Sequence, residues 1–190
     1  MRTFLLLGQT GVGKSSLINS TFGVSVAETS DTEVCTKVVK HYSYHTPFGD
    51  LCLIDTPGLG EGSEKLDEKY LETIKKFIFK EKVDVYVYVS LLNETRFRPT
   101  EKRTLKLLTE YLGTSIWEKA WLILTFAASV QAEKLELAAD IRVDQIWSFV
   151  EELNSYKNKF KGFDKILMVD NVVENWTVGN EPISKLLAAH

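Results

Sequence analysis

A three-layer α/β fold, with a mainly parallel sheet of about six strands and one antiparallel strand, is predicted by three observations. Short apolar, strand-like runs alternate with longer helix-patterned segments throughout the chain. A glycine-rich loop separates the first such run from the first helical segment. One pair of runs is separated only by the turn-like Thr46-Pro47-Phe48-Gly49-Asp50, which marks a hairpin. The alternation implies crossover connections and a sheet covered on both faces.

In chain order, strands are expected at 3–7, 36–45, 51–55, 83–90, 119–125 and 165–169. Helices are expected at 14–22, 65–79, 100–112, 143–159 and 182–189. The opening Met1-Arg2-Thr3-Phe4-Leu5-Leu6-Leu7 has a brief look of a signal peptide. Its apolar run is too short, and glycines follow where a cleavage site would stand, so it reads as a buried strand. Tyr42, Tyr44, Tyr86 and Tyr88 fall at strand spacing and are expected to pack on the sheet. His41 and His45 alternate on one strand, which argues against a metal role. Trp117, Trp121 and Trp147 read as core or partner-facing aromatics, and Lys157, Lys159 and Lys161 as a solvated helix end.

The bulk numbers fit one well-filled domain over residues 1–190. The net charge of −3, from 23 basic and 26 acidic residues, gives no electrostatic reason to expect nucleic acid. No apolar run approaches the roughly 20 residues needed to span a bilayer. Cys35 and Cys52 have no metal-type spacing and point to the cytoplasm or another reducing compartment.

Gly8-Gln9-Thr10-Gly11-Val12-Gly13-Lys14-Ser15 matches the phosphate-loop pattern G-x-x-x-x-G-K-[ST] in full. Glycines let the backbone wrap close to phosphates and aim N–H groups at them. The helix that follows turns its positive end toward the same anion. Lys14 is the candidate for the β- and γ-phosphates, and Ser15 for a hydroxyl ligand to Mg²⁺, with Ser16 beside it. Asp55-Thr56-Pro57-Gly58 follows an apolar run. Its aspartate is placed to hold Mg²⁺, usually through water, and Gly58 to offer an N–H to a γ-phosphate. In the polar stretch between them, Thr36 is the first choice for a threonine on Mg²⁺ and γ-phosphate, and Thr32 the second.

Together Gly8–Ser15, Thr36 and Asp55–Gly58 resemble the first three signature elements of translation-factor-type GTPases. The resemblance implies a three-layer P-loop GTPase domain using GTP/GDP and Mg²⁺. The base-selecting Asn-Lys-x-Asp of that class is missing. Leu124-Thr125-Phe126-Ala127 stands at the corresponding place, without a carboxylate. This segment and Val173-Glu174-Asn175 resemble the paraseptin branch, the chloroplast-envelope import receptors and immunity-associated GTPases. Those receptors carry Leu-Thr-His-Ala and Val-Glu-Asn there. The similarity covers about residues 1–176.

The resemblance places Thr125, Phe126, Glu174 and Asn175 at the base. Phe126 would lie near or against it, and Glu174 would accept from guanine N1–H and N2–H₂. Trp176 can border the same pocket. The residue after Gly58, where many small GTPases have a water-orienting glutamine, is Leu59, which predicts slow hydrolysis. Glu61 and Glu64 are substitute candidates. Arg96 aligns with an arginine that reaches across a dimer in the import receptors, and Arg98 and Arg103 compete for that role. The expected partners are a guanine nucleotide and a second copy across the nucleotide face. The import and immunity relatives anchor to membranes through segments outside this region. Two other classes stay open: a nucleotide-dependent assembly module that barely hydrolyses, and an ATP-using P-loop enzyme.

Overall fold

The computed structural model describes residues 1–23, 25–29, 37–46, 49–60, 62–154 and 162–170. Six strands form one sheet: β1 (Arg2–Gly8), β2 (Lys40–Thr46), β3 (Gly49–Asp55), β4 (Val85–Leu91), β5 (Trp121–Thr125) and β6 (Lys165–Met168). Their spatial order is β2-β3-β1-β4-β5-β6. Only β2 and β3 pair antiparallel, with a ladder from Lys40↔Asp55 to Thr46↔Gly49. The other four pairings are parallel. Four helices are described: α1 (Lys14–Phe22), α2 (Glu64–Lys80), α3 (Pro99–Leu112) and α4 (Leu135–Asn154).

The all-apolar Phe4-Leu5-Leu6-Leu7 is explained by burial on both faces of the sheet. Successive strand side chains point to opposite sides. Leu5 and Leu7 pack with Leu71, Ile74, Leu105, Leu108, Ile146 and Val150 from α2, α3 and α4. Phe4 and Leu6 pack with Leu17, Ile18 and Phe22 from α1. Trp117 and Trp121 are both 1% exposed, one in each layer.

Most boundaries shift by a residue or two, β4 for instance starting at Val85 rather than 83, and the instructive differences are these. β2 starts at Lys40, not 36. Lys40 pairs with Asp55, the last residue of β3, so residues 37–39 have no strand to pair with. β5 starts at Trp121 rather than 119, because the 3₁₀ turn over Thr114–Trp117 continues as a turn up to Ala120, whose N–H donates to Trp117 O. α4 starts at Leu135, eight residues before the expected position. Leu137 and Ile141 lie on its exposed side, 63% and 48% accessible, so the apolar pattern that should announce its first turns is masked. The helix expected at 182–189 lies outside the described residues.

A buried ion pair joins two helices beneath the C-terminal end of the sheet. Arg142 of α4 donates to Glu101 of α3, and each side chain is 3% exposed. Ser90 of β4 donates to Glu101 at 2.7 Å and accepts from Arg142 at 2.9 Å. The Tyr88 hydroxyl also faces Glu101, at 3.3 Å. Burial, reinforced by the Glu101 charge, pushes the Tyr88 phenol well above its ordinary range, so it keeps its proton and donates. Removing one member leaves an uncompensated buried charge. Arg142→Ala should therefore lower stability by about 3–5 kcal/mol, read as an earlier midpoint in urea denaturation. Unchanged stability would mean that the pair is balanced by water.

Candidate functional site

β1 ends at Gly8 with its backbone against β4. A Cβ there would stand 2.5 Å from the Val89 carbonyl oxygen, so only glycine fits. The loop then turns through Gly11 and Gly13, both at positive φ, into α1. Lys14, the first residue of α1, is 6% exposed. Its ammonium folds back over the loop, donating to Gln9 O at 2.7 Å and lying 3.4 Å from Gly8 O. Ser15 donates its hydroxyl to Asp55 Oδ2 at 2.6 Å, and Asp55, at the end of β3, is 1% exposed. Ser16 is half-buried behind it.

The segment after Asp55 lies alongside the glycine-rich loop as a continuation of the β1–β3 pairing. The Thr56 hydroxyl donates to Leu6 O at 2.6 Å. Leu59 N donates to Gly8 O at 3.2 Å, and Thr10 N donates to Leu59 O at 3.1 Å. Between them Gly58 meets Thr10 so closely that a Cβ would lie 2.5 Å from Thr10 Cα. The Leu59 side chain is 1% exposed and belongs to the core beneath α2 and α3. Gly60 N donates to Asp67 Oδ1 at 3.0 Å, and Asp67 Oδ2 pairs with Arg103 at 3.1 Å.

At the other end of the loop, Thr125 is fully buried. Its hydroxyl lies 2.8 Å from Val12 O and 3.1 Å from Ser90 O. It thus fastens the phosphate loop to β4 and β5 from below rather than pointing outward. Phe126 has φ 59°, a left-handed conformation, and is 38% exposed, while Ala127 dips back into the core. The ring therefore stands at the rim of the loop cluster and not inside the sheet packing.

Arg96 is exposed on the β4–α3 connection. Glu94 folds this connection by accepting from Arg96 N at 3.2 Å and pairing with Arg98. Burial raises the Glu94 carboxyl, but the Arg96 N–H and the Arg98 charge outweigh it and hold the group below its ordinary range. Gln9, Thr10, Gly60, Glu94, Arg98 and Arg142 are among the residues that line a cleft of about 270 Å³ beside the glycine-rich loop. Arg98 and Arg103 are both engaged in ion pairs, and Glu64 is 83% exposed, 3.9 Å from Arg103. Thr32, Thr36, Glu61, Glu174, Asn175 and Trp176 lie outside the described residues, as do Cys35 and the lysines at 157, 159 and 161.

Sequence reasoning missed the Asp67–Arg103 pair, the Glu101–Arg142 pair and the role of Asn19. The Asn19 amide donates to Ala27 O at 2.9 Å and accepts from Val26 N and Ala27 N, fixing the start of the stretch that leads toward Thr36. A signal for the first two was present. Asp67 shares the inward stripe of α2 with Leu71 and Ile74, and Glu101 that of α3 with Leu105 and Leu108. A carboxylate at helical spacing with core residues marks a buried charge that must have a partner.

Among the described residues, no helix is long and apolar enough to cross a membrane. No cluster of three or more His, Cys, Asp or Glu side chains suited to a metal is formed among them either.

Known proteins resemble this chain in sequence and in fold. GTP-binding protein A of Dictyostelium discoideum is 36% identical over 127 residues, 66% of this chain and 28% of that protein. The crystal structure of Toc33 from Arabidopsis thaliana in complex with GDP and Mg²⁺ matches with a TM-score of 0.81 and 26% identity, covering 99% of this chain and 81% of that one. A structure that ties dimerisation to the GTPase activity of the chloroplast translocon components atToc33 and psToc159 matches with a TM-score of 0.82 and 25% identity, over 99% of this chain and 80% of that one. The chain spans less than half of the length of the curated relatives it matches. The sequence profile of the AIG1 family covers residues 2–163, and this chain belongs to that family.

Proposed function

We propose that this chain is a GTP-binding molecular switch of the paraseptin branch, a single GTPase domain with slow, Mg²⁺-dependent hydrolysis. The observation that carries the reading is the joint geometry of three segments. The Gly8–Ser15 loop opens α1, Ser15 Oγ and Asp55 Oδ2 lie 2.6 Å apart, and Gly58 is packed on Thr10.

The Ser15–Asp55 pair is a hard-oxygen donor set of the kind Mg²⁺ takes alongside phosphate oxygens and waters. Held by these residues, such an ion would supply positive charge to offset that of the phosphates. Ser15 would hold it directly and Asp55 through water, with Thr36 as the third protein ligand. Backbone N–H groups of Gly11 to Ser16 would cradle the phosphates, Thr10 N–H being given to Leu59 O. Lys14, now donating to Gln9 O, would turn its ammonium onto the β- and γ-phosphates. Gly58 N–H would report the γ-phosphate. Phe126, Glu174 and Asn175 would frame the base, and Thr125 would brace the loop between base and phosphates.

Leu59 supports slow hydrolysis, because its side chain is in the core and presents nothing to an attacking water. Arg96, exposed on a connection pinned by Glu94, is the residue assigned to reach a partner copy's nucleotide. That assignment rests on the exposure of Arg96 and on the engagement of Arg98 and Arg103 in ion pairs.

Calorimetry with GDP, ADP and their triphosphates tests the nucleotide. GDP should bind at least about tenfold more tightly than ADP, the equivalent of one net hydrogen bond. Equal affinities would overturn the guanine assignment, and Glu174→Ala should erase the preference. Lys14→Ala should weaken GTP binding by about 10- to 150-fold, the loss of a charge-assisted contact. Chelating Mg²⁺ should weaken GTP binding to the wild type but leave Ser15→Ala nearly unaffected.

Hydrolysis per chain should rise with protein concentration in the wild type and stay flat in Arg96→Ala. A wild-type rate that is measurable but independent of concentration would sink the dimer. No cleavage at any concentration, with tight GTP binding, would favour an assembly module.

A further inference from the structure

We propose that Asp67 and Arg103 are positioning residues for the γ-phosphate response: a charged latch that holds the Gly58–Gly60 segment against the phosphate loop. The inference rests on the GTP reading given above.

Asp67 is a carboxylate on the inward face of α2, 1% exposed among core leucines. A buried charge of this kind is tolerated only with partners. It has two, and they come from different elements. Gly60 N donates to one oxygen at 3.0 Å, and the Arg103 guanidinium of α3 pairs with the other at 3.1 Å. Gly60 has φ +92°, so its N–H is aimed at Asp67 by a backbone turn that other residues adopt with strain.

The residue just before it, Leu59, is fixed through both backbone groups to Gly8 O and Thr10 N. A continuous path therefore runs from Arg103 through Asp67 to Gly60, and from there by covalent chain to Leu59 and Gly58, which abut Thr10. The only candidate contact to a γ-phosphate on this path is the Gly58 backbone. A diphosphate lacks the γ-phosphate that the Gly58 N–H would meet. The latch should thus bear on the triphosphate and its cleavage and leave the diphosphate complex alone. A staple that merely joined α2 to α3 would show no such discrimination.

Arg103 is the better residue to remove. Its side chain is 35% exposed, so truncation opens no sealed cavity. Single-turnover cleavage of Mg²⁺-GTP at saturation should slow about ten- to hundredfold in Arg103→Ala, the cost of a misplaced reacting geometry. GDP affinity should stay within about twofold of wild type, well under one net hydrogen bond. Arg103→Lys, which keeps the charge within reach of Asp67, should recover most of the rate. Asp67→Asn should resemble Arg103→Ala.

Thermal melts of every variant serve as the check on folding. A folded Arg103→Ala that cleaves at the wild-type rate overturns the latch. So does a parallel loss of GDP affinity, which indicates general loosening, and so does a failure of Arg103→Lys to recover the rate. A wild type that neither binds nor cleaves GTP overturns the GTP reading and the latch with it. That result appears before any variant is made, whereas failure of the latch alone appears only against an active wild type.

Discussion

The close backbone contact between Thr10 and Gly58 is the constraint on which the rest of the site depends. A Cβ at Gly58 would fall inside the Thr10 backbone, so two chain segments from different crossovers lie as near as main chains can. Two hydrogen bonds between Gly8, Thr10 and Leu59 hold that approach. They extend the β1–β3 pairing past the formal ends of the strands, where parallel partners would ordinarily splay. The Ser15–Asp55 pair stands at the point of divergence. Any group that enters between the loops must act on both, because neither can move without breaking bonds to the other.

The sheet supports this contact by placing charged residues where a core would normally have leucine. α2 contributes Asp67, α3 contributes Glu101 and α4 contributes Arg142, each in its helix's buried stripe. These groups form two polar centres, one under the Gly60 turn and one under Ser90 at the end of β4. Apolar replacements of similar volume can match buried ion pairs in stability, so burial alone does not account for them. Their positions do: both centres lie directly beneath the loops that carry the candidate site.

Much of this was legible in the residues. The phosphate-loop pattern located the glycine-rich loop and α1 to the residue, and β1 to within one residue at each end, because a loop with that chemistry tolerates little variation in spacing. The hairpin was readable from its turn, and the alternation of runs implied the parallel order. Strand 36–45 was overextended because β propensity does not reveal where a partner ends, and here β3 stops at Asp55. The start of α4 was hidden by two exposed apolar residues, Leu137 and Ile141, which spoil its periodicity. At the site, motif logic singled out the groups proposed to touch a ligand but not those that hold them. Asp67 and Asn19 act on backbone atoms of other segments and Arg103 on the Asp67 carboxylate. Spacing along α2 marks Asp67 as a buried charge, but it does not name the partner in another segment.

Phe126 holds a left-handed backbone at the rim of the loops, and this limits how that position can drift over evolutionary time. β-branched residues are excluded there by steric clash, while asparagine, aspartate and histidine occupy such geometry with least strain. The path from one ring to another at this position is thus narrow, and it is gated by main-chain shape before any ligand is considered. A lineage that exchanges a polar ring for a phenyl keeps the same turn and the same outward aim. What it gives up is a hydrogen-bonding edge, so the chemistry offered at this rim changes at one position while the scaffold beneath it stays as it was.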